Sequence, residues 1–333
     1  MRLLGKTNNS TNNFDSRKIS VSVIFLTYNP DLQKTLRSLY ALINQKGIDY
    51  EIIISDDGSK VDCFNEIENF LIGNGFSNYS FNKNKQNVGI VKNILSALEK
   101  AKGEYILFNS PGDILKYQYV LRDLYQFSSR HKARCVFTRA VYYHYNGSDY
   151  EIIEKHCDPL KPKAFNWYLP RLVGKYSLFN RYWILGAVMF RKKEYAVKYY
   201  RAIESTSRLM DDNPSALYSV MAGERIVFYD KTIEWYEAEA SVSGDSKSTS
   251  LDQRAMDFKL SLQMIDEKFA QDPLYDYRRP DQNRWVRALK HPCIKACHLI
   301  FNHLPNENTP SGENLRMELN EYITEATSHI NSL

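Results

Sequence analysis

Lys102-Gly103-Glu104-Tyr105-Ile106-Leu107-Phe108-Asn109-Ser110-Pro111-Gly112-Asp113-Ile114-Leu115 reads as a short apolar strand, Tyr105 to Phe108, that runs into a tight polar turn ending in one carboxylate. In open α/β sheets, ligands sit just beyond the carboxyl ends of the strands. Asp113 is therefore placed to hold a metal or a phosphate-bearing substrate.

The sequence upstream repeats that design. Ile19 to Leu26 is β-branched and of strand length, and it ends in Thr27-Tyr28-Asn29-Pro30. Asp31 to Asn44 carries apolar residues at helical spacing, at Leu32, Leu36, Leu39, Tyr40 and Ile43. Tyr50 to Ile54 is a second buried strand, ending in Ser55-Asp56-Asp57-Gly58-Ser59. A helix over 62–72, a short strand over 79–81, a turn at Asn87-Val88-Gly89 and a helix over 90–101 lead to the Tyr105 strand. This rhythm means βαβ units, a parallel sheet and right-handed crossovers. The three polar strand ends then share one sheet edge. Neither G-x-G-x-x-G nor G-x-x-x-x-G-K-[ST] occurs, so the dinucleotide and P-loop readings lack their phosphate cradle.

Downstream, 117–129 reads as a helix, and 133–145 as a strand paired with 150–154 across Asn146-Gly147. Ile184 to Arg191 reads as a strand and Lys193 to Ile203 as a helix. Met210-Asp211-Asp212-Asn213-Pro214 opens a helix through Met221, with Asn213 or an Asp as its cap. Segments 225–229 and 233–236 look like two strands, and 251–271 and 313–331 have helical spacing.

At 333 residues the chain accommodates one large α/β domain with an appendage. We divide it into a disordered tail (1–18), a catalytic domain (19–245) and a helical C-terminal extension (246–333). A net charge of +5 on this length points to no nucleic-acid partner, since the basic residues form no long stripe. The tail lacks an apolar h-region, and no run approaches 18 apolar residues. Five cysteines without a paired motif suit a reducing cytosol. Cys293 and Cys297, with His291 and His298 nearby, read as helix packing rather than zinc, because no second pair stands at finger spacing. The 24 Tyr and 16 Phe serve core packing or sugar platforms.

Taken in order, these motifs resemble family 2 glycosyltransferases of the GT-A fold: Thr27-Tyr28-Asn29, the D-D-G-S block at Asp56 to Ser59, Asn87 and Gly89 with Lys92-Asn93 beyond, Gly103 to Ile106 leading to Asp113, and the acidic pair Asp211-Asp212 ahead of Gly223. The resemblance covers residues 19–245. It implies an α/β GT-A domain with a Rossmann-like, mostly parallel sheet and inverting transfer from a nucleotide-sugar. Thr27, Tyr28 and Asn29 would line the donor pocket. Asp56 would accept the uracil N–H, with Asp57 beside it. Asn87, Lys92, Asn93 and Ser110 would contact base, ribose or phosphate. Asp212 would deprotonate the acceptor hydroxyl, with Asp211 in the place of the family's Glu. Independently of family, such attack needs a carboxylate base and a cation for the departing diphosphate. The local alternative is that Asp211 and Asp212 merely cap a helix.

Two departures stand out. The family carries a D-x-D cluster where this chain has Ser110-Pro111-Gly112-Asp113, so its main metal carboxylate corresponds to Gly112. Mg²⁺ or Mn²⁺ would then rest on Asp113, with Glu239 as a second carboxylate. Metal-independent stabilisation by Lys92, Arg181 or Arg191 is the alternative. Glu237 stands where the family has Arg, and Tyr218 where an Arg often follows the acidic pair.

The aromatic, basic stretch from Phe165 to Trp183 is an acceptor platform or core. Residues 278–305 are basic and partly amphipathic, a peripheral membrane contact or a solvated face. The expectation is a cytoplasmic enzyme at the inner face of the plasma membrane. It would add a sugar from a UDP-sugar to a lipid-linked saccharide in capsule, O-antigen or related surface-polysaccharide synthesis. Its rivals are a non-catalytic relative that binds nucleotide-sugar and a nucleotidyltransferase. The latter lacks its Gly-rich loop after the first strand.

Overall fold

A computed structural model describes residues 18–61, 63–146, 149–153, 161–166, 184–238, 247–270, 303, 307 and 310–333. Strand β1 (Val21–Thr27), helix α1 (Leu32–Ile43), β2 (Tyr50–Asp56), α2 (Phe64–Gly73), β3 (Tyr79–Lys83), α3 (Ile90–Lys100) and β4 (Tyr105–Asn109) form the βαβ series. They are followed by β5 (Ile114–Leu115), α4 (Val120–His131), β6 (Cys135–Tyr145), β7 (Tyr150–Ile153), β8 (Met189–Lys192), α5 (Lys193–Ile203) and α6 (Asp212–Met221). Strand β9 (Ile226–Glu237) and helices α7 (Lys247–Phe269) and α8 (Glu313–Ser332) complete the described strands and α-helices.

The sheet order is β3-β2-β1-β4-β8-β6-β9-β5, with β7 beside β6. Strands β3, β2, β1 and β4 are parallel, and β8 runs antiparallel between β4 and β6. From β1 the chain first builds outward to β2 and β3, then returns to place β4 on the other side. The crevice beyond β1 and β4 is thus a topological switch point, where such sheets bind ligands.

Strand alternation explains the layering. Val21, Val23, Phe25, Ile52 and Ile54 face one layer, with α1, α2, α4 and α8. Ile24, Ile53, Ile106 and Phe108 face the other, with α3, α5, α6 and α7. Both faces are covered, so the central strands read as continuous apolar runs. Helix α1 begins where Asp31 accepts the Lys34 amide at 2.8 Å, a cap contributing about 1 kcal/mol. In the segment expected as an extension, α8 buries Leu319, Ile323 and Ala326, and its Tyr322 donates to the Arg37 carbonyl at 2.8 Å. Helix α7 buries Ile265 in the second layer.

Two expectations are corrected. The strand expected over 184–191 is a 3-10 turn at Gly186–Val188, followed by β8. Gly186 lies so close to the acidic pair that a Cβ would meet Asp211 Oδ2 at 3.3 Å and Asp212 Cβ at 3.4 Å. The two strands expected over 225–236 are one, β9, whose register against β6 shifts around Arg139. Among the described residues, no helix is long and apolar enough to cross a membrane.

Candidate active site

The ends of β1, β2 and β4 open on one cavity of about 620 Å³, within the range of small-molecule sites. Thr27, Tyr28, Asn29, Asp57, Asn87, Asn93, Ser110, Asp113, Asp211 and Asp212 all line it. Asp56 and Lys92 are not among its lining residues.

The β1 and β2 ends are tied to each other. Thr27 and Asp56 are register partners, and the Thr27 hydroxyl donates to Asp56 Oδ2 at 3.2 Å. Asp56 also accepts the Ser59 amide at 2.8 Å and the Ser59 hydroxyl. Its carboxylate is consumed in the turn. Asp57 instead reaches the cavity. It accepts the amides of Val88 at 3.0 Å and Gly89 at 2.8 Å, and Asn84 Nδ2 at 3.0 Å. Burial holds its pKa above the usual carboxylate value against those bonds. Gly58 makes the approach possible: its φ is +74°, and a Cβ would meet the Gln86 carbonyl carbon at 2.5 Å. Asn93 is buried, donating to the Ser55 carbonyl at 3.1 Å. Lys92, one helical step away, is exposed and points off the cavity-lining face.

The β4 turn is strongly held. Ser110 donates to Asp113 Oδ2 at 2.5 Å, and the Gly112 amide donates to Ser38 at 3.0 Å. The Tyr143 hydroxyl donates to the Gly112 carbonyl at 2.5 Å. Gly112 has φ +96°, and a Cβ there would collide with Glu237 Oε2. The space beside the turn is therefore filled by a carboxylate from the end of β9. That Glu237 is buried; Oε1 accepts Lys34 Nζ at 2.6 Å, and Oε2 has no hydrogen-bond partner. Burial, and then the Glu237 charge, push Asp113 up to about 7 against its Ser110 bond. Glu234, wholly buried on the same strand as Glu237, accepts Asn109 Nδ2 at 3.1 Å, and burial raises its pKa well above the ordinary value.

Across the cavity, the acidic pair starts α6. The Tyr200 hydroxyl donates to Asp211 Oδ2 at 3.1 Å, and Asp212 Oδ1 accepts the Asn213 amide at 2.6 Å. The Asp211 side chain makes no capping bond, so the simple cap reading does not describe it. Arg191 is 1% exposed, donates to the carbonyls of Gly186 (3.3 Å) and Met189 (3.1 Å), and lies over the Phe108 ring at 5.0 Å. Burial raises Asp211, with the Arg191 charge opposing it. Burial and the neighbouring Asp211 charge push Asp212 up to about 7. The loop before the pair is fixed by Asp257 of α7, which accepts the amides of Arg208 at 2.8 Å and Met210 at 3.1 Å.

The sequence reading missed Lys34, Tyr200 and Asp257. Only Lys34 had a local signal, as a cation in the first turn after the first strand end. Glu239, Arg181, the 167–183 part of the aromatic stretch, and 278–302 lie outside the described residues, as do Cys157, Cys293 and Cys297. Cys135 is buried in the second core layer.

The described residues offer a divalent cation few carboxylates at the β4 turn. Among the described residues, no group of three or more His, Cys, Asp or Glu can hold a metal. Asp113 is the turn's one carboxylate, and the position beside it is taken by Glu237, already neutralised by Lys34.

Residues 22–185 match the family model described as glycosyl transferase family 2. Similar solved structures include S. aureus TarS 1-349 in complex with UDP, with TM-score 0.52 and 17% identity, covering 85% of this chain and 72% of that one. TarS 1-349 in complex with UDP-GlcNAc matches with TM-score 0.51 and 17% identity, over 85% of this chain and 73% of that one. A longer S. aureus TarS chain matches with TM-score 0.52 and 16% identity, over 85% of this chain and 44% of that one. The chain thus spans less than half of that longer relative. At these identities the likeness shows the fold, which is GT-A.

Proposed function

We propose, from the match of residues 22–185 to the glycosyl transferase family 2 model, that the chain is an inverting enzyme of that family taking its sugar from a UDP-sugar. The observation that carries this reading is the pairing of Asp212, at about 7, with the Ser110–Asp113 turn on one cavity. A carboxylate of that pKa is half ionised near neutrality and accepts a proton well.

The nucleoside lies against Thr27, Tyr28 and Asp57, and its diphosphate against the β4 turn. Asp212 removes the proton from the acceptor hydroxyl. The oxygen attacks the anomeric carbon opposite the diphosphate, and the electron pair of the breaking C–O bond leaves on the phosphate oxygen. Configuration inverts. Asp211, held by Tyr200 and the Arg191 charge, keeps the start of α6 in place. The complexes of TarS with UDP and UDP-GlcNAc support uridine as the base.

The acceptor we propose is a lipid-linked saccharide in surface-polysaccharide synthesis, of capsule or O-antigen type, at the inner membrane face. Support comes from composition and the basic segment 278–305. Vesicle co-sedimentation of the chain with and without 278–333 tests the membrane part, and equal binding would remove it.

The test of the main reading is a thermal-shift panel of nucleotide-sugars followed by assay of sugar transfer. Protection by none of them would sink it. A second reading, a binding protein without transfer, is favoured by Gly112. It predicts nucleotide binding with no turnover in the wild type.

A further inference from the structure

We propose that Lys34, held by Glu237, is the cation that meets the donor diphosphate in place of a metal ion. The inference rests on the nucleotide-sugar reading above. A diphosphate leaving group gains negative charge as the sugar departs, and some positive group must face it. Among the described residues lining the cavity, the cations are Lys34 and Arg254. Arg254 lies in the field of Asp211 and Asp212, on the acceptor side. Lys34 lies on the side of the β4 turn, because its partner Glu237 abuts Gly112.

The arrangement is built rather than incidental. Lys34 leaves the first turn of α1, directly after the Tyr28-Asn29-Pro30 wall of the cavity. Its side chain is 32% exposed, whereas Glu237 is 4% exposed. A buried carboxylate is costly unless paired, and this one is paired with the ammonium at 2.6 Å. An ammonium has three donors. One is given to Glu237, which leaves others for phosphate oxygens. Glu237 reaches this position because residue 112 has no side chain. The same glycine that removes a carboxylate from the turn thus admits the acid that fixes the lysine. Lys34 acts directly on the leaving group, and Glu237 is a positioning residue.

The deciding experiment is calorimetric titration of the full chain with UDP, GDP and dTDP and with the matching nucleosides, each in EDTA and in Mn²⁺. Wild type, Lys34→Met, Glu237→Gln and the double variant are compared. The wild type should bind a nucleoside diphosphate equally in EDTA and Mn²⁺. Lys34→Met should weaken the diphosphate about tenfold or more and leave the nucleoside unchanged. Glu237→Gln should give a smaller loss of the same kind. Because Lys34→Met strands a buried charge, the double variant, which removes that charge, must show the same selective loss. Wild type that binds no nucleotide overturns the nucleotide-sugar reading. Wild type that binds diphosphate only with Mn²⁺, or Lys34 variants with undiminished diphosphate affinity, overturn this proposal while leaving that reading intact.

Discussion

Tyr200 donates its hydroxyl to Asp211 Oδ2 at 3.1 Å from a position wholly inside the second core layer. The bond ties the first acid of the pair to helix α5, while Asp212 begins the next helix and faces the cavity. The two neighbouring carboxylates both line the cavity but differ in their partners: Asp211 is held by the Tyr200 hydroxyl, and Asp212 accepts the Asn213 amide.

Asp212→Asn should abolish the base without emptying the donor pocket. Transfer should fall by about 10²–10⁴-fold, while UDP affinity by titration stays within a factor of a few. Retained turnover would remove Asp212 from the mechanism.

The pH dependence follows from the raised carboxylates. Asp212 must be ionised to act, so transfer should climb as pH rises through about 7 and then level off. Stability runs the other way. A folded-state value above the unfolded 3.8 means the fold holds the proton more tightly. That stability is complete below about 3.8 and is lost as pH rises through about 7. Asp113→Asn and Asp212→Asn should each narrow the Tm difference between pH 5.5 and pH 8. An unchanged gap in both variants would contradict the assignment.

Tyr200→Phe removes the anchor of Asp211 and little else. The loss of one buried hydrogen bond should cost about 1 kcal/mol of stability. Its distinguishing effect is a shift of the pH–rate midpoint, because Asp211 sets the charge felt by Asp212. A variant with lower Tm and the wild-type midpoint would reduce Tyr200 to a packing role.

Gly58→Ala should damage the donor pocket through the backbone. The position is left-handed and abuts the Gln86 backbone, so the strain is on the order of 1–3 kcal/mol. Displacing the 86–89 loop moves the amides that Asp57 accepts. Nucleotide affinity should fall together with Tm, while Gly75→Ala, also at positive φ but with open space around it, should lower Tm alone.

The βαβ frame was legible because its signals are local. Tyr105 to Phe108 is a run of apolar residues closed by a turn, and β4 follows it nearly residue for residue. The three strand ends were legible for the same reason. The distinction between Asp56 and Asp57 was not. Adjacent strand residues face opposite sides, and only the pairing of Thr27 with Asp56 shows which carboxylate the turn uses. Lys34 looked like one polar position on an amphipathic helix, since its partner lies 203 residues away. Residues 186–188 read as strand because nothing in their composition announces that Gly186 must press against Asp211.

Gly112 and Glu237 share one volume, and this couples the two positions. A side chain at 112 and the present rotamer of Glu237 are mutually exclusive. A side chain at 112 alone must displace the Glu237 carboxylate and adopt a positive φ. A combinatorial library at 112 and 237 should therefore recover functional pairs while rejecting most single changes at 112.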